Sequence, residues 1–251
     1  MTYPIHRYRA LADLTATEEA ILIGLGERET VRPRGATFQH EGQPTRGFHL
    51  HISGWIASSI TLRSGQRLIQ KVHLPGDMLG TPSMALATSA DTLTALTDAS
   101  TAFVSFTRFG ELFVTAPRLA ALFTIAVQME RIALMDVLAA TGNASAKEQV
   151  ARLLLDFHAR LTPLGLVRDD AFDLPVTQEM MGDLCGLTAV HVNRVVRSLE
   201  KDGLVAREGH RGHRLRLLDV AALRRLSPLR PRQPLFQPAW LPAPASLERA
   251  G

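Results

Sequence analysis

Residues Gly186–Gly203 read GLTAVHVNRVVRSLEKDG, and the fold turns on what the polar side of this segment is for. Thr188 stands where a helix needs a side-chain oxygen for its first free N–H groups, and Gly203 stops the helix after Lys201. On a helical wheel Val192, Val195, Val196 and Leu199 point inward. Ala189, Val190, Asn193, Arg194 and Arg197 point outward, with His191 near the boundary. Just upstream, Thr177 caps a shorter helix, Gln178–Cys185. Gly182 supplies the small surface that two closely crossing helices require, and Gly186 the positive φ of the turn between them. Met181, Leu184 and Leu187 join Val192, Val195 and Leu199 in a shared core. Downstream, LVAREGHRGHRLRLLD reads as two β-prone stretches around EGHRGH, a hairpin wing, and Asp219 caps a last helix, VAALRRL. Cap, small residue, glycine turn and apolar set in one register predict a winged helix-turn-helix of the DNA-binding kind.

The outward side carries the chemistry such a reader needs. Asn193 can pair bidentately with adenine, Arg194 and Arg197 can take guanine O6/N7 or a phosphate, and Ala189 or Val190 can touch a thymine methyl. Thr177, Gln178 and Thr188 lie at helix N-termini, where hydroxyl, amide and backbone N–H groups meet phosphates. Arg207, His210, Arg211 and Arg214 place the wing against the DNA backbone or the minor groove. The charge distribution agrees. Residues 1–143 hold 12 basic and 12 acidic side chains, whereas Val190–Arg232 hold 11 Lys/Arg against 4 Asp/Glu, as expected of a segment with a polyanionic partner.

The chain has 251 residues, 46% hydrophobic and 21% charged, a globular balance with room for two domains. Its one cysteine, Cys185, permits no intramolecular disulfide and no cysteine-built zinc or iron–sulfur site. The opening MTYPIHRYRALADLT lacks the apolar core of a signal peptide, and no apolar run is long enough for a bilayer. A cytoplasmic protein without membrane contact is expected. No Gly-rich phosphate loop, nucleophile motif or paired acid and base is present, so a binding protein is expected rather than an enzyme.

Four regions follow in order. Residues 1–116 open with a short helix boxed by Thr15 and Glu18, then give short β-branched and aromatic segments punctuated by glycine. Gly47–Ile52, Trp55–Leu62 and Gln66–His73 are hairpin-sized, with SG and RSGQ as turns. A β jelly-roll sensor domain is expected there. Residues 117–143 form a long helix and hinge, started by Pro117. Leu122, Ile125, Met129 and Ile132, with Asp136 in series, make a coiled-coil seam and the expected homodimer interface. A second seam, Leu119, Ala126 and Ala133, would pack on the barrel of its own chain. Residues 144–226 are the winged helix-turn-helix, and 227–251 a Pro-rich tail whose Leu235, Phe236, Trp240 and Leu241 suggest partial docking on the surface. The fold class is α+β.

Barrel, long helix and winged helix-turn-helix, in that order, resemble the Crp/Fnr family of bacterial transcription regulators over about Leu14–Leu226. The likeness rests on RGATFQHEGQPTRGFHLHISGWI and HLPGDMLG in the first region and on VTQEMMGDLCGLTAVHVNRVVRSLEKDGLV in the last. It implies a cyclic-nucleotide-binding-like barrel and a homodimer on a two-fold symmetric DNA site. It also implies an activator that recruits RNA polymerase. By the same resemblance Thr188–Lys201 is the recognition helix and Arg194 its base- and phosphate-contacting arginine. Many members carry Arg or Glu early in that helix, where this chain has Ala189 and Val190. A half-site different from that of the cyclic-AMP-responsive members is therefore expected, with His191, Asn193 and Arg194 compensating.

In the family's cyclic-nucleotide binders the PGD-x-x-G turn leads to a Glu for the ribose and an Arg for the phosphate. Here Thr81 and Pro82 follow Gly80, Asp91 falls about where the Arg belongs, and no Lys or Arg lies between Lys71 and Arg108. A phosphate buried without a cation is costly, so cyclic nucleotides are not expected ligands, and no cofactor or effector is assigned. His49 and His51 alternate on a strand but have no third ligand nearby in sequence, which favours ordinary strand histidines over haem ligands. Cys185 reads first as a small core residue. The sharper alternative is a candidate redox switch whose oxidation would disturb the helix packing. The competing function is a small-molecule-binding or protein-docking module whose winged helix contacts a protein. Arg194, Arg197 and the wing arginines weigh against that, because such a face is normally less cationic.

Overall fold

In the computed structural model of the chain, which describes residues 2–209, 213–229, 232 and 234–244, the predicted box at Thr15 is present. The Thr15 side chain accepts from the Glu18 N–H, and the Glu18 carboxylate accepts from the Thr15 N–H. Helices α1 (His6–Arg9) and α2 (Ala16–Gly24) precede a β-sandwich. Its strands are β1 (Thr30–Arg32), β2 (Thr37–Gln39), β3 (Gly47–Ser53), β4 (Ile56–Thr61), β5 (Arg67–His73), β6 (Met78–Leu79), β7 (Thr92–Ala95) and β8 (Ala99–Ser105). They form two four-stranded antiparallel sheets, ordered β1-β8-β3-β6 and β2-β7-β4-β5. The second expected turn, RSGQ, joins the paired strands β4 and β5. The first does not make a hairpin: at Gly54 the chain crosses from one sheet to the other, so β3 pairs with β6 and β8 while β4 pairs with β5 and β7.

A helix that the sequence reading did not separate, α3 (Phe106–Thr115), follows, capped by Ser105, which accepts from the Arg108 N–H. Then comes α4 (Pro117–Asn143), which is helical over the whole of the expected helix-and-hinge segment. Rings from four elements fill the space between sheet and helices: Tyr8 against Phe123 at 5.1 Å, Phe48 against Phe109 at 5.3 Å, and Phe109 against Phe123 at 5.1 Å. Each such buried aromatic contributes roughly 2–3 kcal/mol. Arg118 on α4 donates to both Glu18 carboxylate oxygens at 2.8 and 2.9 Å and to the Asp13 carbonyl at 3.0 Å, fastening α4 to α2.

This packing redistributes the expected α4 seam. Leu122 is fully buried within its own chain, among the residues of the aromatic cluster, so the barrel has taken the surface that a partner would need. Ile125 packs partly on the same cluster, Met129 and Ile132 are half-buried, and Asp136 is half-buried and paired with Arg232 at 3.0 Å. The large apolar side chains that α4 leaves open are Val127, Leu134, Met135 and Leu138, and Ala133, expected against the barrel, is exposed as well. The helix wheel shows two stripes but not which one the barrel claims.

The C-terminal region is α5 (Ala146–Leu161), β9 (Ala171–Asp173), α6 (Gln178–Cys185), α7 (Ala189–Lys201), β10 (Val205–Glu208), β11 (Arg214–Leu217) and α8 (Val220–Leu226). The wing is three-stranded, ordered β10-β11-β9, because Ala171–Asp173 adds an outer strand that is too short to announce itself. One apolar cluster joins this region to the barrel: Trp55 of the sandwich lies edge-on against Phe157 of α5 at 5.4 Å, and Ile69, Val72 and Leu74 belong to the same core. No helix among the described residues is long and apolar enough to cross a membrane.

Candidate nucleic-acid interface

Local chemistry builds the helix-turn-helix as the spacing implies. Thr177 accepts from the Met180 N–H and starts α6; Thr188 accepts from the His191 N–H and starts α7. Gly186 sits at φ 65° and ψ 34°, a left-handed conformation that a side chain would strain. A Cβ on Gly182 would stand 2.4 Å from the Leu187 carbonyl oxygen, so the crossing of the two helices depends on that missing atom. Met181, Val192, Val195, Val196 and Leu199 are buried between the helices and α5.

On the outer side Val190 is 72% exposed, and His191, Arg194 and Arg197 are exposed with it. Ala189 is half-buried. Asn193 is also half-buried and donates an amide N–H to the Gln178 carbonyl oxygen at 3.0 Å. The first residue of α6 and the middle of α7 are thus tied together. The two side-chain amides therefore form one positioned unit rather than two independent readers.

The wing arginines are largely engaged. Arg207 makes a bidentate pair with Glu200 at 2.7 Å on both arms, and that contact holds the Glu200 carboxyl below its usual range. Arg216 donates to Glu208 at 2.5 Å, and Arg214 lies 3.7 Å from the same carboxylate. His210 and Arg211 lie outside the described residues. Among the described residues Arg194 and Arg197 have no salt-bridge partner, so the outer side of α7 carries two open cations.

Sequence reasoning overlooked the charged hub behind the interface. Asp77, in the PGD turn, is buried and receives Arg7 at 2.7 Å, Arg160 of α5 at 2.8 Å, and Lys71 at 3.8 Å. His73 stands 3.5 Å away. Although burial alone would raise it, the Arg160, Lys71 and Arg7 cations together hold the Asp77 carboxyl well below the usual carboxylate range. Glu130 of α4 shares Arg7 and Lys71, each at 3.2 Å. A second tie runs from Asp183 of α6, whose carboxylate accepts the Ile69 N–H of β5 at 2.9 Å. The only hint in the sequence was a charged residue inside a turn motif.

In the sandwich, Asp91 is buried where the family resemblance puts the phosphate-binding Arg, and burial raises its carboxyl. Gln39 donates to it at 2.9 Å and packs against Gly80, so the polar groups of this corner satisfy one another. His49 is held between Phe38 at 5.2 Å and Phe103 at 5.3 Å, while the His51 Nε2 lies 3.0 Å from the Ser53 carbonyl. Burial lowers both rings to about 4. His49, His51 and their neighbours make no cluster of three metal-ligating side chains among the described residues. Cys185 is buried in the core of the helix-turn-helix, and burial pushes its thiol up to about 11. A thiol in that state is a poor nucleophile at neutral pH.

Comparison with known proteins agrees with this architecture. Residues 148–226 match the Crp-like helix-turn-helix domain, and residues 29–116 the cyclic nucleotide-binding domain. The transcriptional activator protein FnrL of Cereibacter sphaeroides is 31% identical over 163 residues, covering 64% of this chain and 65% of FnrL, just under two thirds of its length. The nitrogen fixation regulation protein FixK of Bradyrhizobium diazoefficiens is 31% identical over 173 residues, covering 68% of this chain and 71% of FixK. The solved structure of FixK2 from Bradyrhizobium japonicum shares the fold, with a TM-score of 0.71 and 23% identity over 81% of this chain and 98% of that one. With its barrel, long helix and winged helix-turn-helix in this order, the chain belongs to the Crp/Fnr family of transcription regulators.

Proposed function

We propose that the protein is a cytoplasmic, dimeric transcription activator that reads a two-fold symmetric DNA site with Val190, His191, Arg194 and Arg197, does so without a cyclic nucleotide, and recruits RNA polymerase. The observation that carries the reading is the pair of exposed arginines on α7 that have no salt-bridge partner among the described residues, beside a helix-turn-helix whose caps and crossing are in place. Thr177 and Thr188 face the phosphates, and the Gln178–Asn193 unit sets the height of the helix in the groove. Two copies pair along the open α4 stripe of Val127, Leu134, Met135 and Leu138, flanked by Met129 and Ile132. The activating sign follows FnrL, which is named an activator. The buried Asp91 argues against a cyclic phosphate in the sandwich, because two negative groups would share one dry corner. The role is binding rather than catalysis.

A gel shift on genomic fragments, repeated across a salt series, tests the reading. Specific binding falls steeply with salt, and Arg197→Gln lowers the slope of log affinity against log salt by about one per half-site. A wild-type protein that selects no fragment, or whose binding ignores salt, overturns it.

A further inference from the structure

Beyond α8, described residues of the tail return to the rest of the chain. Arg232 crosses to α4, with its guanidinium 3.0 Å from Asp136. Five residues on, the Gln237 N–H donates to the Leu11 carbonyl at 2.8 Å, and its side-chain amide donates to the Asp13 carboxylate at 3.0 Å. Pro238 is buried, and Leu241 packs on the cluster that contains Tyr3, Tyr8 and Leu11. Its N–H closes a turn onto the Pro238 carbonyl at 2.8 Å. Gln237 takes φ 46°, a left-handed conformation that a residue with a Cβ adopts only when its surroundings hold it there. Of the four apolar residues expected to dock, Leu241 does so and Leu235, Phe236 and Trp240 stay exposed, while Gln237 and Pro238 join Leu241 on the surface.

The geometry has a topological consequence. The tail leaves the winged helix-turn-helix at Leu226 and is anchored on the N-terminal segment of the barrel, on the far side of the α4–α5 junction at Ala144. We propose that Arg232 and residues 234–241 are an intramolecular strap. They seat on Leu11, Asp13 and Asp136 and hold the DNA-reading module against the barrel, so that this chain keeps its reading orientation through its own groups. The strapped arrangement leaves Val190, Arg194 and Arg197 exposed, which makes it the orientation that meets DNA. This last step rests on the proposed DNA-binding function; the strap itself does not.

A single backbone amide reports the docking. Strand β5 is at the edge of its sheet, and the Ile69 N–H there is taken by Asp183 of α6. Hydrogen exchange at Ile69, measured by NMR on the full-length protein without DNA, therefore follows separation of module and barrel. Gln237→Pro removes the amide donor and forbids the positive φ at an exposed position, and Leu241→Asp withdraws the apolar anchor independently. Each is expected to speed exchange at Ile69 by tenfold or more while leaving exchange in β3 and β8 unchanged, and to weaken operator binding by fivefold or more. Exchange at Ile69 that stays at the wild-type rate in both variants overturns the strap. Faster exchange combined with unchanged or tighter DNA binding overturns the assignment of the strapped arrangement as the reading one. A wild-type protein that binds no DNA fragment, with exchange responding as expected, refutes only the function.

Discussion

Asp77→Asn isolates the electrostatics of the barrel–module junction in a side chain of nearly unchanged shape. In the wild type one buried carboxylate answers Arg7, Arg160 and Lys71 at 2.7, 2.8 and 3.8 Å and accepts the Leu74 N–H at 3.3 Å. Removing one partner of a buried pair costs about 3–5 kcal/mol, because the remaining charge stays desolvated. Here the orphaned cations are not wholly abandoned. Arg7 and Lys71 keep Glu130, and Arg160 keeps Asp156 at 3.1 Å. Their side chains are about a quarter exposed, so water recovers part of the loss. The lower end, about 3 kcal/mol, is therefore expected, equivalent to a fall in melting temperature of roughly 6–12 °C. The sign with pH follows from the depressed carboxyl. Its stabilisation is complete above the unfolded value near 4 and is lost as pH falls through the lower folded value. Urea unfolding of wild type and Asp77→Asn should differ by a constant amount from about pH 7 to 8, above the range in which the neighbouring His73 titrates, and converge in stronger acid. A difference within about 0.5 kcal/mol at pH 7 would show that the hub is a surface-like arrangement and refute the reasoning.

Gly182→Ala sets a methyl 2.4 Å from the Leu187 carbonyl oxygen, and the turn must move to admit it. Denaturation should show a loss of about 1–3 kcal/mol together with weaker operator binding; an unchanged midpoint would mean that the helices have room to spare. Calorimetric titration with cyclic AMP or cyclic GMP should give no saturable heat, and micromolar affinity for either would show that Asp91 leaves the pocket open. Operator binding should survive peroxide at neutral pH equally in wild type and Cys185→Ser, since the buried thiol is pushed up to about 11; a loss that the serine variant prevents would make Cys185 a redox switch.

Most of the helix-turn-helix was legible because its determinants are local. A cap acts over three residues, a turn glycine over one, and an apolar stripe over four, so Thr177, Gly182, Gly186 and Thr188 could be placed from spacing alone. Long-range pairing was not legible. The SG dipeptide at Ser53–Gly54 looks like a hairpin turn, yet the choice between turning back and crossing to the other sheet depends on strands 20 to 50 residues away. The place of Leu122 on α4 was not legible for a related reason: a wheel shows two apolar stripes, but only the shape of the barrel determines that Leu122 is covered at home. Charge partners were the least visible. Arg207 and Arg214 count as free cations in a sequence, whereas in the fold Glu200 and Glu208 have taken them up.

The Asp183–Ile69 contact also bears on how the two halves can be separated. A terminal strand with unpaired amides is an invitation to another strand, and proteins guard such edges with charge, proline or cover. Here the guard over β5 is the DNA-reading module itself, through a carboxylate that accepts one of those amides. Cutting the chain between α4 and α5 would release a sandwich with that edge bare. Expressed alone, the barrel should add strands to its own copies and aggregate, so the module that reads DNA also keeps its neighbour soluble.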